Sequence, residues 1–186
     1  PVNNGSMTID NDWHVNNSVY AEGADFEIRG DIISQSVTFD LRNADKVVVN
    51  GAQKQNFNFM SYNYIGNMVV ENEEGVVFSG QRYVELYGEL ETKGHPIEGH
   101  IYMYGTIKDD YVKANIHYAV SHKLYHDLHI DGDVEIGSFD LNGYNLKVDG
   151  CLTVNYNKKM ISSSTGGVLE VKGDLVQQVD NYKYIF

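Results

Sequence analysis

The chain contains few of the residues that usually identify a class of protein. Its 186 residues include two prolines, one cysteine and only 14 basic residues against 26 acidic ones, for a formal net charge of -12. The lone Cys151 cannot form an internal disulfide, so cysteine does not indicate a redox compartment. The negative charge disfavours nucleic acid as a partner. No apolar run reaches the roughly 18 residues of a membrane-spanning helix, so we expect no membrane insertion by this segment.

Repetition is the strongest positive signal. The string GADFEIRGDIISQ (23–35) returns as GGVLEVKGDLVQQ (166–178), and FDLRNADKVVVNG (39–51) returns as FDLNGYNLKVDG (139–150). A motif that recurs along a chain is typical of stacked structural units. We therefore expect the copies to form equivalent turns, with Gly30 and Gly173 at matching corners.

The segments between the glycine-rich and asparagine-rich junctions alternate with a period of two. Phe26 and Ile28 point to one side of a strand while Glu27 points to the other, as expected of half-buried β-strands. This predicts an all-β protein, either a parallel β-solenoid (β-helix) of short stacked coils or an antiparallel β-sandwich. A hairpin at Asn142-Gly143 would support the sandwich. The same junction is longer in the other copy, which favours a solenoid corner.

The strings LNGYNLKVDGCLTV, GGVLEVKGDL, VVVNGAQKQNFNF and NMVVENEEGVVFSG resemble modules of large repetitive bacterial cell-surface or secreted proteins predicted to form β-solenoids. The resemblance covers roughly residues 23–90 and 129–178. It implies an extracellular or cell-surface location, neighbouring repeats in a parent chain, and a non-catalytic structural or adhesive role. We expect one β-solenoid repeat domain over 1–186, with 1–22 as an N-terminal cap and 91–129 as an atypical insert rich in histidine and tyrosine.

Histidines are concentrated in the segment that departs from the repeats. His117, His122, His126 and His129 could bind Zn²⁺ together with a carboxylate, since neutral imidazole is a good zinc ligand. Their spacing is not that of HExxH or of a Cys/His finger, so surface or turn histidines are the alternative. The carboxylates of Asp109-Asp110 and Asp131-Gly132-Asp133 could bind Ca²⁺. Solvated turn aspartates are the alternative there.

No catalytic motif is evident. Glu73 and Glu74 are adjacent, so on a strand they point to opposite faces and cannot flank one glycosidic bond. The sequence also lacks the GxSxG nucleophile motif. We expect a protein that is not an enzyme. The alternatives are a β-helix carbohydrate-active enzyme, which would need a cleft with clustered basic and acidic side chains, and a β-sandwich carbohydrate-binding module.

Tyrosine is the third abundant feature, with 14 copies. Tyr62, Tyr64, Tyr102 and Tyr104 are predicted to bind a ligand, because rings exposed along a flat β face can stack on a sugar or anchor a protein. The alternative is structural: an aromatic side chain on a stacked strand covers its neighbours above and below. The expected partner is thus a carbohydrate or a protein at the cell surface.

Overall fold

A computed structural model describes residues 2–35, 37–119, 121–155 and 165–178. These residues form 25 short strands, numbered β1 to β25 in chain order, and no helix. The strands pair in parallel and stack as a β-solenoid of about eight turns. The prediction of a parallel β-solenoid is therefore confirmed, and the antiparallel sandwich is wrong. The described residues include no helix that could cross a membrane.

Each turn of the chain passes over three faces in the order 1, 2, 3. Face 1 contains β2 (Trp13–Val15), β4 (Ile32–Ser34), β7 (Gln55–Phe59), β10 (Val76–Gly80), β13 (Ile97–Glu98), β16 (Tyr111–Val112), β19 (Leu128–Ile130), β22 (Leu146–Val148) and β24 (Leu169–Val171). Face 2 contains the first half of β3 (Val19–Ile28), then β5 (Phe39–Asn43), β8 (Asn63–Ile65), β11 (Val84–Leu86), β14 (His100–Met103), β17 (Asn115–Tyr118), β20 (Val134–Ile136), β23 (Leu152–Asn155) and β25 (Leu175–Gln178). Face 3 contains most of β1 (Val2–Ile9), which pairs along the length of β3, then the second half of β3, β6 (Lys46–Val49), β9 (Met68–Val70), β12 (Glu89–Glu91), β15 (Thr106–Ile107), β18 (His122–Lys123) and β21 (Phe139–Asp140).

Stacking in register places like side chains in columns. An inward column on face 2 is formed by aliphatic residues of five successive turns, each at most 2% exposed: Val84, Ile101, Ile116, Val134 and Leu152. The residue after each of them points outward. The period-two alternation of the sequence thus becomes one continuous core with a polar and aromatic exterior.

The turns differ in length, because the corners between the strands contain different numbers of residues. Ile101 stacks on Ile116, 15 residues further along, whereas Leu41 stacks on Ile65, 24 residues further along. Asn142 and Gly143 have positive φ angles of 53° and 88°, as a tight turn requires. The strands on either side of this turn do not pair with each other: β21 pairs with β18, and β22 pairs with β19 and β24. Asn142-Gly143 is therefore a corner, and the hairpin alternative is wrong.

The two copies of each repeated string do not lie in the same column. Gly30 lies at the corner between faces 3 and 1, whereas Gly173 lies at the corner between faces 1 and 2. The second pair of strings differs in the same way: the first copy begins with β5 on face 2, whereas the second copy begins with β21 on face 3. In both pairs the second copy lies one face further along the turn. The expectation of matching corners is thus wrong. At both corners a Cβ would collide with the backbone of the previous turn, at Asn11 for Gly30 and at Gly150 for Gly173. The repeated string therefore encodes a strand followed by a close corner, and this unit is used on different faces of the solenoid.

The two segments singled out in the sequence both contribute to the stack. Residues 2–22 provide β1, β2 and the start of β3, and Trp13 packs against the rings of Phe26 and Phe39 at centroid distances of 6.1 and 5.3 Å. Residues 91–129 provide strands on all three faces, including β14 and β17 of face 2. The histidine-rich and tyrosine-rich segment is therefore positioned by the same stacking as its neighbours.

Candidate functional site

The predicted tyrosines lie together on the outer surface of face 2. Tyr64 and Tyr102 point outward from β8 and β14, while Tyr62 precedes β8 and Tyr104 follows β14. We call this surface the tyrosine face and define it by six rings on three successive turns: Tyr62, Tyr64, Tyr83, Tyr87, Tyr102 and Tyr104.

Both tyrosines of the middle turn contact the predicted residues, and Tyr87 connects the two predicted pairs. The ring of Tyr83 lies 4.6 Å from that of Tyr102, and the ring of Tyr87 lies 4.5 Å from that of Tyr104. The ring of Tyr87 also contacts Tyr64 at 6.0 Å. Sequence reasoning missed Tyr83 and Tyr87 because Glu85 separates them, so they do not form an i, i+2 pair. In the strand register Glu85 pairs with Tyr64, so the tyrosines on either side of Glu85 lie next to the predicted ones. Knowledge of this register would have identified Tyr83 and Tyr87.

Two arginines lie over rings of this surface. The guanidinium of Arg42 is 4.4 Å from the centre of Tyr64 and forms an ion pair with Asp40 at 2.6 Å. The hydrogen bond to Asp40 raises the pKa of Arg42 further, so its charge is permanent. The guanidinium of Arg82 is 5.1 Å from the centre of Tyr62. These cation–π contacts hold the rings in fixed positions.

Much of the ring surface is already in contact with other rings. Desolvation raises the pKa of Tyr64 and of Tyr102, which reflects partial burial within the stack. Tyr62 and Tyr83 nevertheless remain 52% and 53% exposed, and Tyr87 remains 38% exposed. The rings therefore cover one another, as the structural interpretation expects, and part of the aromatic surface stays exposed, so ligand binding by these tyrosines stays a prediction.

A cleft of about 250 Å³ lies at the C-terminal end of the tyrosine face. Its wall is formed by aromatic rings and carboxylates that include Tyr83, His100, Tyr102, His117, Asp133 and Glu135. The ring of His117 stacks on Tyr102 at 4.1 Å, and its Nδ1 lies 3.0 Å from the carboxylate of Glu135. His117, predicted as a metal ligand, is thus part of the wall of this cleft.

The four histidines predicted as a metal set lie apart. His117 is on face 2, His122 on face 3, His126 at the corner between faces 3 and 1, and His129 on face 1. Across the described residues, no three His, Cys, Asp or Glu side chains converge to hold a metal ion. The histidines are separated because each corner turns the chain onto the next face.

Each of the other histidines has local partners. His122 packs against Tyr118 and Phe139 at 4.4 and 6.0 Å, and burial lowers its pKa to about 4. His129 contacts Asp149 at 2.9 Å. Hydrogen bonds from Lys172 and then from His129 lower the pKa of Asp149 to about 2.

Three of the four aspartates considered for Ca²⁺ form hydrogen bonds with nearby turns of the solenoid. Asp133 accepts a hydrogen bond from the backbone N–H of Cys151 at 2.8 Å, and Asp131 accepts one from the hydroxyl of Tyr111 at 3.0 Å. Asp109 accepts one from a backbone N–H of the preceding turn. Part of the hydrogen-bonding capacity of these side chains therefore serves the stacking of the coils.

Comparison with known proteins identified no matching family model, no similar curated protein and no similar solved structure.

Proposed function

We propose that this chain is a non-catalytic module of an extracellular or cell-surface protein and that its tyrosine face binds a carbohydrate chain. The observation that carries the proposal is a cluster of six tyrosine rings on parallel strands. Tyr62, Tyr64, Tyr87 and Tyr104 form one row of contacting rings, and Tyr83 and Tyr102 form a second pair on the same face. Stacked strands are about 4.8 Å apart, so the tyrosine face from β8 to β14 extends about 10 Å along the solenoid axis, and the face together with the adjoining cleft as far as β20 extends about 19 Å. This length accommodates an oligosaccharide.

The polar groups of this surface favour carbohydrate over protein as the partner. From β5 to β23, the central outward column is formed by polar and aromatic side chains: Asp40, Tyr64, Glu85, Tyr102, His117, Glu135 and Thr153. The core of a protein–protein interface is usually depleted of charged residues. Rings beside carboxylates and imidazoles offer both apolar contact and hydrogen-bond acceptors, which is what a polyhydroxylated sugar needs.

The test is a glycan array followed by titration calorimetry of the best ligand with the double variant Tyr62→Ala/Tyr83→Ala. These two rings are half exposed, so their removal should leave the core intact, and circular dichroism checks this. At about 1 kcal/mol per ring, the two truncations should weaken binding roughly 30-fold. Tyr125→Ala is the matched control, because Tyr125 is 65% exposed but lies at the corner between faces 3 and 1.

Three results would contradict the proposal. An array on which no glycan is bound would remove carbohydrate as the partner and leave a protein as the occupant of this surface. Equal loss of binding in Tyr125→Ala would place the site elsewhere. Cleavage of any bound glycan by the purified chain would contradict the non-catalytic role and favour the alternative, a β-helix carbohydrate-active enzyme.

A further inference from the structure

The cleft at the end of the tyrosine face differs in charge from the rest of that surface. Arg42 and Arg82 lie over the rings of the first two turns, but no lysine or arginine is among the described residues that line the cleft. The cleft instead contains the carboxylates of Asp133 and Glu135. It is therefore a local site of negative potential on a chain whose formal net charge is -12.

Both carboxylates are held in place by neighbouring turns. Glu135 is bound through one oxygen by Nδ1 of His117 at 3.0 Å and through the other by the side-chain amide of Asn155. Oδ1 of Asp133 accepts a hydrogen bond from the backbone N–H of Cys151. Among the described residues, no hydrogen bond involves Oδ2 of Asp133, so this oxygen is available to a ligand. A preorganised acceptor loses little entropy when a cationic donor binds to it.

The rings beside these carboxylates suit the same kind of ligand. Tyr102 lies between Tyr83 and His117, at centroid distances of 4.6 and 4.1 Å, and the ring of Tyr83 is 53% exposed. An ammonium group is attracted both to a tyrosine ring and to a carboxylate. A volume of about 250 Å³ lies below the roughly 300 Å³ at which pockets for drug-sized molecules begin, so the cleft fits one sugar ring.

We propose that this cleft selects a sugar unit that carries a free ammonium group, such as an unacetylated 2-amino sugar. The ammonium group is bound by the carboxylates of Glu135 and Asp133, while the apolar side of the sugar contacts Tyr83. An N-acetylated unit has no charge to pair with them, and a uronic acid is repelled. This inference rests on the proposed carbohydrate function of the same surface and names its preferred sugar class.

The experiment is titration calorimetry with three oligosaccharides of equal length: a glucosamine oligomer, its fully N-acetylated form and a galacturonate oligomer. The glucosamine oligomer should bind at least about tenfold more tightly than the N-acetylated form. This preference should fall when salt is raised from about 50 mM to about 500 mM, because salt screens the attraction between partly exposed charges. The galacturonate oligomer should bind most weakly.

Charge-removing variants locate the effect. Glu135→Gln keeps the shape of the side chain, and Asp133→Asn gives an independent variant if the first affects folding. Each should reduce the preference for the free amine while binding of the N-acetylated oligomer persists. Glu170→Gln is the control, because Glu170 is an exposed carboxylate on β24 of face 1 and its removal changes the net charge equally.

The outcomes separate this inference from the function on which it rests. Equal affinity for the free-amine and N-acetylated oligomers would overturn the inference and leave carbohydrate binding standing. Equal loss of preference in Glu170→Gln would also overturn it, because the effect would then come from overall charge. If none of the three oligomers binds and the chain also binds no glycan on an array, both the amino-sugar preference and the carbohydrate function are overturned.

Discussion

At the scale of the residue, burial decides what the histidines can do. His122 is partly buried and packs against the rings of Tyr118 and Phe139. Burial lowers its pKa to about 4, from an ordinary value near 6.5. The imidazole is therefore neutral in the folded protein at neutral pH and packs as an aromatic ring against its neighbours.

His122 predicts acid sensitivity. The unfolded chain binds a proton at this residue below about pH 6.5 and the folded chain only below about pH 4, so stability falls as pH drops through this window. The loss should be on the order of 2 kcal/mol. His122→Phe should remove this part of the pH dependence, as measured by urea unfolding at pH 7 and pH 4. His14→Phe, at an exposed position of β2, should leave the profile unchanged, and identical profiles for wild type and His122→Phe would contradict the assignment.

At the scale of the element, side-chain oxygens at the corners hold successive turns together. Asp127 accepts a hydrogen bond from the backbone N–H of Asn145 at 2.8 Å, and Asn145 in turn accepts one from the N–H of Val168 at 3.0 Å. A second such column runs through Asn115 and Asp133. These bonds use donors that the irregular backbone of a corner would otherwise leave without a partner.

This ladder predicts a difference between two substitutions at one position. Asp127→Ala removes the acceptor of the Asn145 N–H and should cost about 1 kcal/mol of unfolding free energy. Asp127→Asn keeps an oxygen at the same position and should cost clearly less. Urea unfolding of both variants measures the difference, and equal destabilisation would show that the hydrogen bond to Asn145 does not support the corner.

At the scale of the whole molecule, the core is built from inward columns that continue from turn to turn. Leu152 and Leu175 occupy consecutive positions in the same inward column on face 2. Leu152 is fully buried, whereas Leu175 is 65% exposed. In the described residues, the tightly packed part of this column therefore ends at β23.

The contrast between these leucines predicts where the core contributes to stability. Leu152→Ala should cost about 2–5 kcal/mol, as cavity-forming substitutions in a packed interior do. Leu175→Ala, the same chemical change one turn further along, should cost less than about 0.5 kcal/mol. Thermal and urea unfolding of the two variants test this, and similar losses would mean that the packed core extends through β25.

Much of the fold could be predicted from local sequence. The alternation around Phe26 and Ile28 predicted strands, and the variable junctions predicted the corners of a parallel solenoid. The outward positions of Tyr64 and Tyr102 follow from the same alternation. Side chains that touch across turns, such as Tyr83 with Tyr102, could not be predicted because their separation depends on the length of the intervening turn.

The sequence by itself determined that this chain alternates short strands with close corners, because a period of two and a glycine at a crowded position are properties of a few adjacent residues. Only the tertiary structure decided on which face each strand lies. The three faces accept the same local unit, and turn lengths among the paired strands range from 15 residues, between Ile101 and Ile116, to 25, between Ile32 and Phe57. For that reason two similar strings occupy different corners, four neighbouring histidines separate, and six scattered tyrosines gather on one face.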